Sequence, residues 1–406
     1  MAETSREPDP IALFIPVFGD NGVARVTANL AETFAAGGHA VDLVIGEVRD
    51  AAAHLLPSSA RLVRIEDRSV PAGWAQAMAA DPGGIGSLFA AGIFSGKPGR
   101  RVRFVPGFAA YLRTARPPIV LSAGTNANLV ALWARRRAGV PLRLVISEHN
   151  ALSGKTRGRS RWPAMSAASA GRLVGRAYRR ADAVIAVSRG VADDLAATAG
   201  LVRRDIATIY NPVVSEDIGR KAAALDHPWF GPGAPPVVLA VAKLHPAKDL
   251  ATLLRAFARL RQRRNARLMV LGEGSERSSL EAQVADLDCG ADVSLPGYCD
   301  NPFCYMARAA VLALSSAWEG LPTVLVEAMA CGCPVVSTDC PSGPAEILDN
   351  GAFGALVPVG DDAALAQAIE TVIDHPPAPA DLRARAAAFS VETNAARYLE
   401  VLRGGR

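Results

Sequence analysis

The most informative residues of the chain are two glutamates, Glu319 and Glu327, which are separated by seven residues. The segment predicts a loop that carries Glu319, then a helix that starts at Pro322, carries Glu327 and ends near Gly332. A helix N-terminus has unpaired N–H groups and the positive end of the helix dipole, which favour a phosphate. Carboxylates accept hydrogen bonds from sugar hydroxyls. Two glutamates that flank one helix start are therefore the residue types that a nucleotide-sugar site requires.

Two lysines, Lys243 and Lys248, lie in a short loop between an apolar strand at residues 237–241 and an amphipathic helix. An isolated pair of lysines is more often ordinary surface charge. Because the acidic segment lies downstream in the same half of the chain, we predict that these lysines clamp a phosphate.

With these motifs the chain resembles the retaining glycosyltransferases of family 4, which have the GT-B fold. The matching motifs are the two glutamates, the lysine loop, Gly272-Glu-Gly274, Pro296-Gly-Tyr298, Val187–Leu195 and Ile209–Val213. The resemblance covers nearly the whole chain. It implies an α/β architecture in which two Rossmann-like domains face a cleft and the C-terminal helix crosses back to the N-terminal domain.

The resemblance also implies a role for each residue of the donor site. Lys243 and Lys248 neutralise the diphosphate, although Lys243 replaces the family's more usual arginine and so loses bidentate geometry while keeping the charge. Glu327 is expected on the ribose hydroxyls and Glu319 on the hydroxyls of the transferred sugar. The other donor-binding positions are Leu321, Thr323 and Val324, whose N–H groups bind the diphosphate, Tyr298 near the base, and Gly272.

The N-terminal half is expected to complete the site. Gly22 lies in the first strand-to-helix turn, where its backbone is expected to approach the phosphates, and Asn21 replaces one of the family's adjacent glycines there. Asparagine tolerates left-handed backbone angles, so the turn is predicted to survive this replacement. Arg25 is either an acceptor-site residue or a surface residue.

Ser147-Glu-His-Asn150 follows a predicted strand, and its histidine matches a histidine that the family places in the cleft. His149 is therefore the candidate catalytic residue of this half, and Asn150 is a candidate acceptor contact. A histidine at the C-terminal end of a parallel strand lies at the edge where ligands of such sheets bind.

The implied reaction is glycosyl transfer with retention of anomeric configuration. Glu319 and Glu327 are not assigned the roles of the two carboxylates in retaining hydrolases. The resemblance favours front-face displacement, in which the leaving phosphate accepts the proton of the acceptor, with Glu319, His149, Lys243 and Lys248 as the catalytic set. Lysines and a helix dipole stabilise the departing diphosphate without a metal, and no Asp-x-Asp motif is evident near the site. We expect a UDP-sugar as the donor substrate and no cofactor.

Length and composition agree with two α/β domains, since 406 residues with 50% hydrophobic content are enough for two cores. The predicted strands are residues 11–18, 41–45, 119–121, 142–146 and 183–187 in the first half and 237–241, 267–271, 292–295, 311–314 and 334–337 in the second. A helix is predicted at residues 24–37. The acceptor-binding domain is predicted at residues 1–213, joined by a last helix at 389–406, and the nucleotide-sugar-binding domain at 214–388.

Positive charge is concentrated in residues 82–181, which hold 18 Lys and Arg against one acidic residue. The basic runs at residues 97–108 and 155–162 also contain aromatic and apolar residues, which favours insertion at an anionic bilayer interface over an ordinary solvated face. No nucleic-acid-binding module is recognisable. We therefore expect segment 97–180 to bind an anionic membrane surface.

No secretion signal and no membrane-spanning stretch is apparent in the sequence, so we expect a cytoplasmic protein, peripheral at the cytoplasmic face of the inner membrane. The six cysteines lie between Cys289 and Cys340 without the spacing of a disulfide framework. They are interpreted as reduced core thiols.

Residues 301–305 and 337–348 resemble the branch of the family that extends lipid-linked oligosaccharides with hexose or N-acetylhexosamine. A membrane-associated, polyprenyl-diphosphate-linked glycan is therefore the expected acceptor, in cell-surface polysaccharide assembly. Two other classes stay open, a UDP-sugar 2-epimerase of the same architecture and a non-catalytic sugar-nucleotide-binding protein. Transfer to an acceptor, isomerised UDP-sugar, and binding without turnover distinguish the three.

Overall fold

The computed structural model describes residues 10–19, 21–84, 99–157, 164–223 and 227–405. The chain divides into two compact units, of which the first is Met1–Pro212 together with Val391–Arg406 and the second is Val213–Ser390. The boundaries drawn from the sequence, after residue 213 and before residue 389, differ from this division by one and two residues.

The first unit alternates strands with helices. Its strands are β1 (Ile11–Phe18), β2 (Val41–Val48), β3 (Arg61–Arg64), β4 (Ile119–Ala123), β5 (Arg143–Glu148), β6 (Ala183–Ala186) and β7 (Ile206–Thr208). Its helices before the second unit are α1 (Gly22–Ala36), α2 (Val70–Ala80), α3 (Val105–Ala115), α4 (Thr125–Ala138), α5 (Leu152–Arg157), α6 (Ala164–Tyr178) and α7 (Arg189–Ala199).

The second unit has the same alternation. Its strands are β8 (Val237–Val241), β9 (Arg267–Leu271), β10 (Val293–Gly297), β11 (Val311–Leu314), β12 (Val335–Thr338) and β13 (Ala355–Val357). Its helices are α8 (Asp217–Lys221), α9 (Leu250–Arg261), α10 (Arg277–Asp286), α11 (Phe303–Met306), α12 (Thr323–Ala330), α13 (Pro344–Ile347), α14 (Asp362–Asp374) and α15 (Pro379–Ala386).

The sheet of the first unit, as far as the described residues show it, has seven strands in the order β3-β2-β1-β4-β5-β6-β7. The recorded strand pairs are parallel. The central strands form because apolar runs are buried on both faces, and β1 buries all but one of its eight residues. The strand order reverses between β1 and β4, so the loops after these strands flank the point where ligands of open parallel sheets bind.

The sheet of the second unit, again within the described part of the chain, has six strands in the order β10-β9-β8-β11-β12-β13. Its recorded pairs are also parallel. Helices α9 and α14 pack residues such as Phe257, Leu260 and Ile369 against the apolar side chains of β8, β9 and β11. The order reverses between β8 and β11, which places the loops that follow these two strands side by side.

The last helix, α16 (Val391–Leu402), belongs to the first unit although it follows the whole second unit in the chain. It buries Ala395, Tyr398, Val401 and Leu402 in the core that β1 and α1 also build. The guanidinium of Arg143 donates to the carbonyl of Val401 at 3.0 Å, which fixes the helix end beside β5. The predicted return of the C-terminal helix to the N-terminal domain is therefore confirmed.

Candidate active site

The loops that follow β8 and β11 bring the first two site residues together. Lys248 Nζ donates to Glu319 Oε1 at 2.5 Å, although the residues are 71 positions apart in the chain. Their side chains are 24% and 12% exposed. The two residues, called the Lys248–Glu319 pair below, thus form a partly buried ion pair at the strand-order reversal of the second sheet.

Hydroxyl groups and backbone bonds hold this pair in place. Ser316 Oγ donates to Glu319 Oε1 at 2.7 Å, and Ser315 Oγ donates to the carbonyl of Lys248 at 2.8 Å. The N–H of Ala317 donates to the carbonyl of Ala247 at 2.9 Å, so the two loops are joined along their backbones as well. The two serines directly follow β11, and sequence analysis did not identify either of them as a site residue.

Cys340 lies in the same electrostatic environment. Burial, and then the negative charge of Glu319, raise the pKa of its thiol to about 12. The residue is 3% exposed, so the thiol stays protonated at neutral pH. It is a packing residue beside the Lys248–Glu319 pair, which agrees with the prediction of reduced core thiols; the six cysteines are free.

Helix α12 carries Glu327, which is 5% exposed. Sequence analysis placed Pro322 at the first helical position, whereas it is the N-cap residue with extended backbone angles, and the helix begins at Thr323. Thr323 and Val324 are thus the first two residues of the helix, and Leu321 precedes its N-cap. The helix ends before Cys331, whose thiol pKa is raised to about 12 by burial and by the nearby charge of Glu327.

The loop before α12 is fixed by a glycine that sequence analysis did not assign to the site. Gly343 has a φ of 93°, and a Cβ atom there would lie 2.5 Å from Pro322 Cδ and 3.0 Å from the carbonyl oxygen of Gly320. A side chain at this position has no room and a strained backbone. The close backbone approach therefore sets the position of the helix start relative to the loop after β12.

Lys243, Gly272 and Tyr298 lie on the consecutive loops after β8, β9 and β10. Gly272 has a φ of 145°, and a Cβ there would come within 1.9 Å of the carbonyl oxygen of Ala242. The N–H of Gly272 donates to the carbonyl of Gly297 at 2.7 Å, directly before Tyr298, which is 39% exposed. Lys243 is exposed. Gly272 thus acts as the close-packing position between the loop with Lys243 and the loop with Tyr298.

His245 lies between the two lysines in the chain. Burial, and then the positive charge of Lys243, hold the pKa of its imidazole below the usual value, and Lys248 contributes in the same direction. Its Nδ1 accepts a hydrogen bond from the N–H of Ala247 at 3.2 Å, which caps the turn Pro246–Lys248. A neutral imidazole shapes the lysine loop without adding to its charge.

In the first unit, the turn after β1 differs from the sequence interpretation. Asn21 has extended backbone angles, with φ of −160°, rather than left-handed ones, and its side chain accepts from the N–H of Ala24 at 3.1 Å as the N-cap of α1. Gly22 is the first residue of α1 and Arg25 lies in its first turn. The turn survives because asparagine is a strong N-cap residue, not because it adopts glycine-like angles.

His149 follows β5 and is 8% exposed. Its Nε2 lies 3.0 Å from Ser147 Oγ, and the same hydroxyl lies 3.2 Å from the hydroxyl of Tyr398 on α16. Ser147 and Tyr398 are themselves buried. Sequence analysis found the histidine but not Tyr398, because this contact joins residues 251 positions apart.

Glu148 is a fully buried carboxylate that holds the backbone at the predicted site. Its Oε1 accepts from Thr125 Oγ1 at 2.9 Å and from the N–H groups of His149 and Asn150 at 3.0 and 3.2 Å. Its Oε2 accepts from the hydroxyl of Tyr178 at 2.7 Å, and burial together with this charge raises the Tyr178 pKa well above its usual value.

Four donors satisfy this carboxylate, which is the condition under which a buried charge is tolerated. Glu148 is also the one acidic residue in the stretch 82–181, which is the signal by which the sequence alone would have identified it. Sequence analysis quoted it only as a neighbour of His149.

The predicted membrane insertion of the basic run at residues 97–108 is wrong for its described apolar residues. Val102, Phe104, Val105 and Phe108 are buried in the first unit, and the ring of Phe108 stacks on Phe14 at a centroid distance of 3.8 Å. These side chains are therefore core residues and do not serve as anchors in a bilayer.

Several basic residues of segment 97–180 are held by acidic partners. Arg103 pairs with Glu47 at 2.7 Å, and the buried Asp81 accepts from Arg176 at 2.8 Å and from Arg180 at 3.0 Å. Residues 85–98 and 158–163, which include Lys97 and most of the second basic run, lie outside the described residues. Binding of this segment to an anionic surface stays a prediction.

Among the described residues, no group of three or more His, Cys, Asp or Glu side chains is arranged to hold a metal ion. None of the helices in the described part of the chain is both long enough and apolar enough to cross a bilayer.

Comparison with known proteins gives matches along both units. The family model described as Glycosyltransferase Family 4 matches residues 20–217, and the model described as Glycosyl transferases group 1 matches residues 227–389. Together the two models cover nearly the whole of the described chain.

Two curated relatives and one solved structure illustrate the similarity. The N-acetylgalactosamine-N,N'-diacetylbacillosaminyl-diphospho-undecaprenol 4-alpha-N-acetylgalactosaminyltransferase of Campylobacter jejuni is 33% identical over 205 residues, 50% of this chain and 53% of that protein. The lipopolysaccharide 1,6-galactosyltransferase of Escherichia coli is 25% identical over 293 residues, 70% of this chain and 75% of that protein. The structure of Anabaena HepE in complex with UDP and glucose has a TM-score of 0.73 at 20% identity and covers 98% of this chain and 100% of that chain.

These matches differ in how much of each relative they cover and in what they support. The chain spans about half the length of the Campylobacter relative, and it also spans less than two thirds of other curated relatives that it matches. The solved structure, at 20% identity, supports the fold.

Proposed function

The chain belongs to the family 4 glycosyltransferases of GT-B fold, and from that membership we propose that it transfers a hexose or N-acetylhexosamine, with retention, from a UDP-sugar to a lipid-linked glycan. The observation that carries the proposal is the Lys248–Glu319 pair at the strand-order reversal of the second sheet. It supplies a cation for a diphosphate and a carboxylate for sugar hydroxyls at one point, with both side chains partly open to solvent.

The chemistry of the pair supports the roles given to its members. An ammonium group has three donors, and one of those of Lys248 goes to Glu319, which leaves two for the oxygens of a diphosphate. The hydrogen bonds recorded for the Glu319 carboxylate fall on Oε1, which leaves Oε2 to accept from a sugar hydroxyl. Each residue thereby fixes the other while keeping capacity for the substrate.

In the proposed reaction, the bond from the anomeric carbon to the diphosphate oxygen breaks and a bond to the acceptor oxygen forms on the same face of the sugar. The acceptor proton goes to the departing diphosphate, so UDP leaves and no residue becomes glycosylated. Lys243, Lys248 and the N-terminus of α12 stabilise the negative charge that builds on the leaving group. This route is metal-independent.

Other residues of the second unit bind the donor. The main-chain N–H groups of Leu321, Thr323 and Val324 bind the diphosphate, since N–H groups at a helix start lack intrahelical acceptors. Glu327 accepts from the ribose hydroxyls and the main chain at Tyr298 lies near the base. Gly272 keeps the loop with Lys243 close to the loop with Tyr298.

In the first unit, His149 is the proposed catalytic residue that contacts the reacting sugar. Gly22 at the start of α1 contributes a close backbone approach to the donor phosphates. Arg25 and Asn150 are the proposed acceptor contacts. The support for this half is that β1 and β5 end at the same edge of one parallel sheet.

The acceptor is proposed to be a polyprenyl-diphosphate-linked glycan, because the names of two relatives specify undecaprenol-linked and lipopolysaccharide substrates. An acceptor of this kind is held in a bilayer, so the enzyme is proposed to work peripherally at the cytoplasmic face of the inner membrane in cell-surface polysaccharide assembly.

Release of UDP tests the proposal. A panel of UDP-sugars is incubated with the full chain, with and without a membrane extract that contains polyprenyl-diphosphate sugars. We expect release that needs the extract with one donor of the panel, and labelled sugar in the lipid fraction. Release without transfer to lipid, an isomerised UDP-sugar, or no release from any donor would each contradict the proposal.

The matched variants are Glu319→Gln and Glu370→Gln. Both glutamates belong to the second unit and pair with a cation, since Glu370 accepts from Arg263 at 3.0 Å. Only Glu319→Gln is expected to abolish transfer, by removing the carboxylate charge that binds the sugar. Equal activity of the two variants would show that Glu319 does not belong to the site.

A further inference from the structure

Arg101 is a cation without a counterion in the described part of the first unit. It lies in the 3₁₀ turn Gly99–Phe104, and its side chain is half-buried. Among the described residues, no hydrogen bond or ion pair is recorded for its guanidinium, whereas Arg103 pairs with Glu47 at 2.7 Å. A guanidinium has five N–H donors, and burying such a group without acceptors is unfavourable. Arg101 therefore has a binding capacity that the fold itself does not use.

The charges around Arg101 are positive on balance. Burial holds the pKa of its guanidinium below the usual value, and the positive charge of Arg49 lowers this pKa further. Glu47 acts in the opposite direction with a smaller influence, and its carboxylate is already paired with Arg103. An anion beside Arg101 and Arg49 would offset both the desolvation and the repulsion. Arginine is the side chain best suited to bidentate contacts with phosphate oxygens.

Arg49 lies at the edge of the first sheet where ligands of open parallel sheets bind, outside the C-terminal ends of the strands. It directly follows β2, and its N–H donates to the carbonyl of Phe18, the last residue of β1, at 2.9 Å. Its Cδ lies 3.4 Å from the position that a Cβ on Gly19 would take. Arg49 and Arg101, called the Arg49–Arg101 site below, thus place two cations at this edge.

Close packing holds the turn that carries Arg101 against the first unit. A Cβ on Gly46 of β2 would lie 2.1 Å from the ring of Phe104, and a Cβ on Gly73 would lie 2.3 Å from the carbonyl oxygen of Val102. Val102 and Phe104 are both buried. The backbone beside Arg101 is therefore fixed before any ligand arrives, which reduces the entropy lost on binding.

We propose that Arg49 and Arg101 form a phosphate-binding site of the first unit, which takes the diphosphate of a lipid-linked glycan acceptor. The two guanidinium groups donate to the diphosphate oxygens and neutralise part of their charge. This inference rests on the proposed function, which supplies the class of acceptor. It adds the residues that recognise the part of the acceptor far from the reacting hydroxyl.

The position of the site in the sheet favours the acceptor diphosphate over the donor diphosphate. The donor diphosphate is assigned to the lysine loop and α12 of the second unit, whereas Arg49 and Arg101 belong to the first unit. β1 and β4 separate β2 from β5, the strand that precedes His149. Because neighbouring strands are about 4.8 Å apart, the ends of β2 and β5 are about 14 Å apart. A lipid-linked glycan likewise has its diphosphate and its reacting hydroxyl at opposite ends.

Binding of inorganic diphosphate tests the site without turnover. Isothermal titration is carried out on the full chain in saturating UDP, which occupies the donor site. We expect the unmodified protein to bind diphosphate, and Arg101→Gln and Arg49→Gln each to weaken this binding at least about tenfold, the range of one charge-assisted hydrogen bond. No binding to the unmodified protein, or equal affinity in Arg101→Gln, would overturn the proposal.

Arg204→Gln is the matched control for these two variants. It removes one positive charge from the same unit, and its side chain is 88% exposed. Arg204 precedes β7, so it lies at the opposite edge of the sheet from the Arg49–Arg101 site. We expect its affinity for diphosphate to equal that of the unmodified protein. An equal loss in all three variants would show that the effect is one of net charge and would contradict a site.

Unfolding in urea distinguishes a binding role of Arg101 from a structural role. Arg101→Gln removes a desolvated charge and no recorded hydrogen bond, so we expect the ligand-free variant to keep or exceed the urea midpoint of the unmodified protein. A side chain that serves the fold would lower the midpoint when it is replaced. A lower midpoint in Arg101→Gln would therefore contradict the binding role.

Kinetics separate the acceptor from the donor as the source of the phosphate group. With the donor identified by UDP release and the acceptor supplied in detergent micelles, we expect Arg101→Gln to raise the KM for the acceptor at least about tenfold. The KM for the donor should stay unchanged. A raised KM for the donor with an unchanged KM for the acceptor would overturn the assignment to the acceptor.

Vesicles separate the acceptor from a lipid headgroup. Sedimentation with phosphatidylglycerol vesicles that contain no acceptor should be the same for Arg101→Gln and the unmodified protein. Loss of vesicle binding in Arg101→Gln, with an unchanged KM for the acceptor, would assign the site to a headgroup and overturn the proposal. Diphosphate binding that depends on Arg101, in a protein that transfers no sugar, would refute the proposed function and leave the phosphate site intact.

Discussion

The two units use equivalent edges of their parallel sheets in opposite ways. In the second unit the edge presents charge, because the Lys248–Glu319 pair is partly exposed and Lys243 is exposed. In the first unit the carboxylate of Glu148, which precedes His149 in the chain, is fully buried and accepts hydrogen bonds from four donors. The difference teaches that charge at a sheet edge serves either to meet a ligand or to hold the backbone, and burial decides which.

The largest expected effect comes from removing the cation of the Lys248–Glu319 pair. Lys248→Ala should lower turnover about 100-fold or more, the loss typical of one group that stabilises charge in the transition state. Steady-state kinetics with the donor identified by UDP release measure it. Lys221→Ala is the control, a second-unit lysine that lies over the ring of Phe303 at 5.9 Å. If both variants have the same turnover number, Lys248 does not stabilise the leaving group as proposed.

The second prediction compares how much Glu148 and Glu319 each contribute to the free energy of unfolding. Glu148→Gln should lower the free energy of unfolding by about 2–3 kcal/mol, since bonds to a buried charged acceptor are lost and the amide brings hydrogens that face other donors. Glu319→Gln should change the free energy of unfolding by less than about 1 kcal/mol, as for a partly exposed ion pair. Urea unfolding of both variants measures the contrast, and equal losses would break the comparison.

The third prediction concerns alkaline pH. Burial, together with Glu327 and Glu319 respectively, raises the pKa of Cys331 and of Cys340 to about 12, whereas the ordinary value is 9.0. The unfolded chain therefore ionises first, so the stabilisation is complete below about pH 9 and is lost as pH rises towards 12. Burial also raises the pKa of Tyr398 in the first unit to about 12, but from an ordinary value of 10.0.

The second unit should accordingly begin to lose stability about one pH unit before the first. Urea midpoints between pH 8 and pH 11 test this order, with Cys340→Ala expected to flatten the decline that starts near pH 9. A decline in Cys340→Ala as steep as in the unmodified protein would show that the thiol contributes nothing to it.

The smallest effect is expected at the turn after β1. Asn21→Ala should cost about 1 kcal/mol of stability, because the N-cap bond to Ala24 is lost, and Asn21→Gly should cost only a few tenths. Both variants should keep the turnover of the unmodified protein, since the Asn21 side chain is used as a cap. A large loss of turnover in Asn21→Gly, without loss of stability, would move this residue into the binding site.

The central strands were predictable because they are continuous apolar runs. β1, β8, β9 and β11 have the predicted bounds, and the structure extends β2 to Val48. Sequence analysis missed the strands β3, β7 and β13, which are three or four residues long. All three lie at sheet edges, where one side has no partner strand and the apolar signal is weak, and β3 has three exposed residues.

The site residues likewise fall into those that local sequence predicts and those that it does not predict. The glutamates and lysines of the second unit were visible because charged residues next to apolar strands stand out, and the structure joins Lys248 to Glu319. The positions of Ser147 relative to Tyr398, and of Glu148 relative to Tyr178, were not visible because these contacts depend on tertiary packing between distant segments. Membrane insertion of the run at residues 97–108 was predicted wrongly for the same reason. Its aromatic residues are buried in the core of the first unit, and local composition does not reveal that burial.

The return of α16 to the first unit has a consequence for the order of events at the ribosome. Residues that complete the first core, among them Tyr398 and Leu402, are synthesised only after the whole second unit. Nascent domains usually fold in the order in which they emerge. Here the half that is made first must wait with part of its core uncovered until translation has passed residue 402, so the second unit is the first that is able to finish folding.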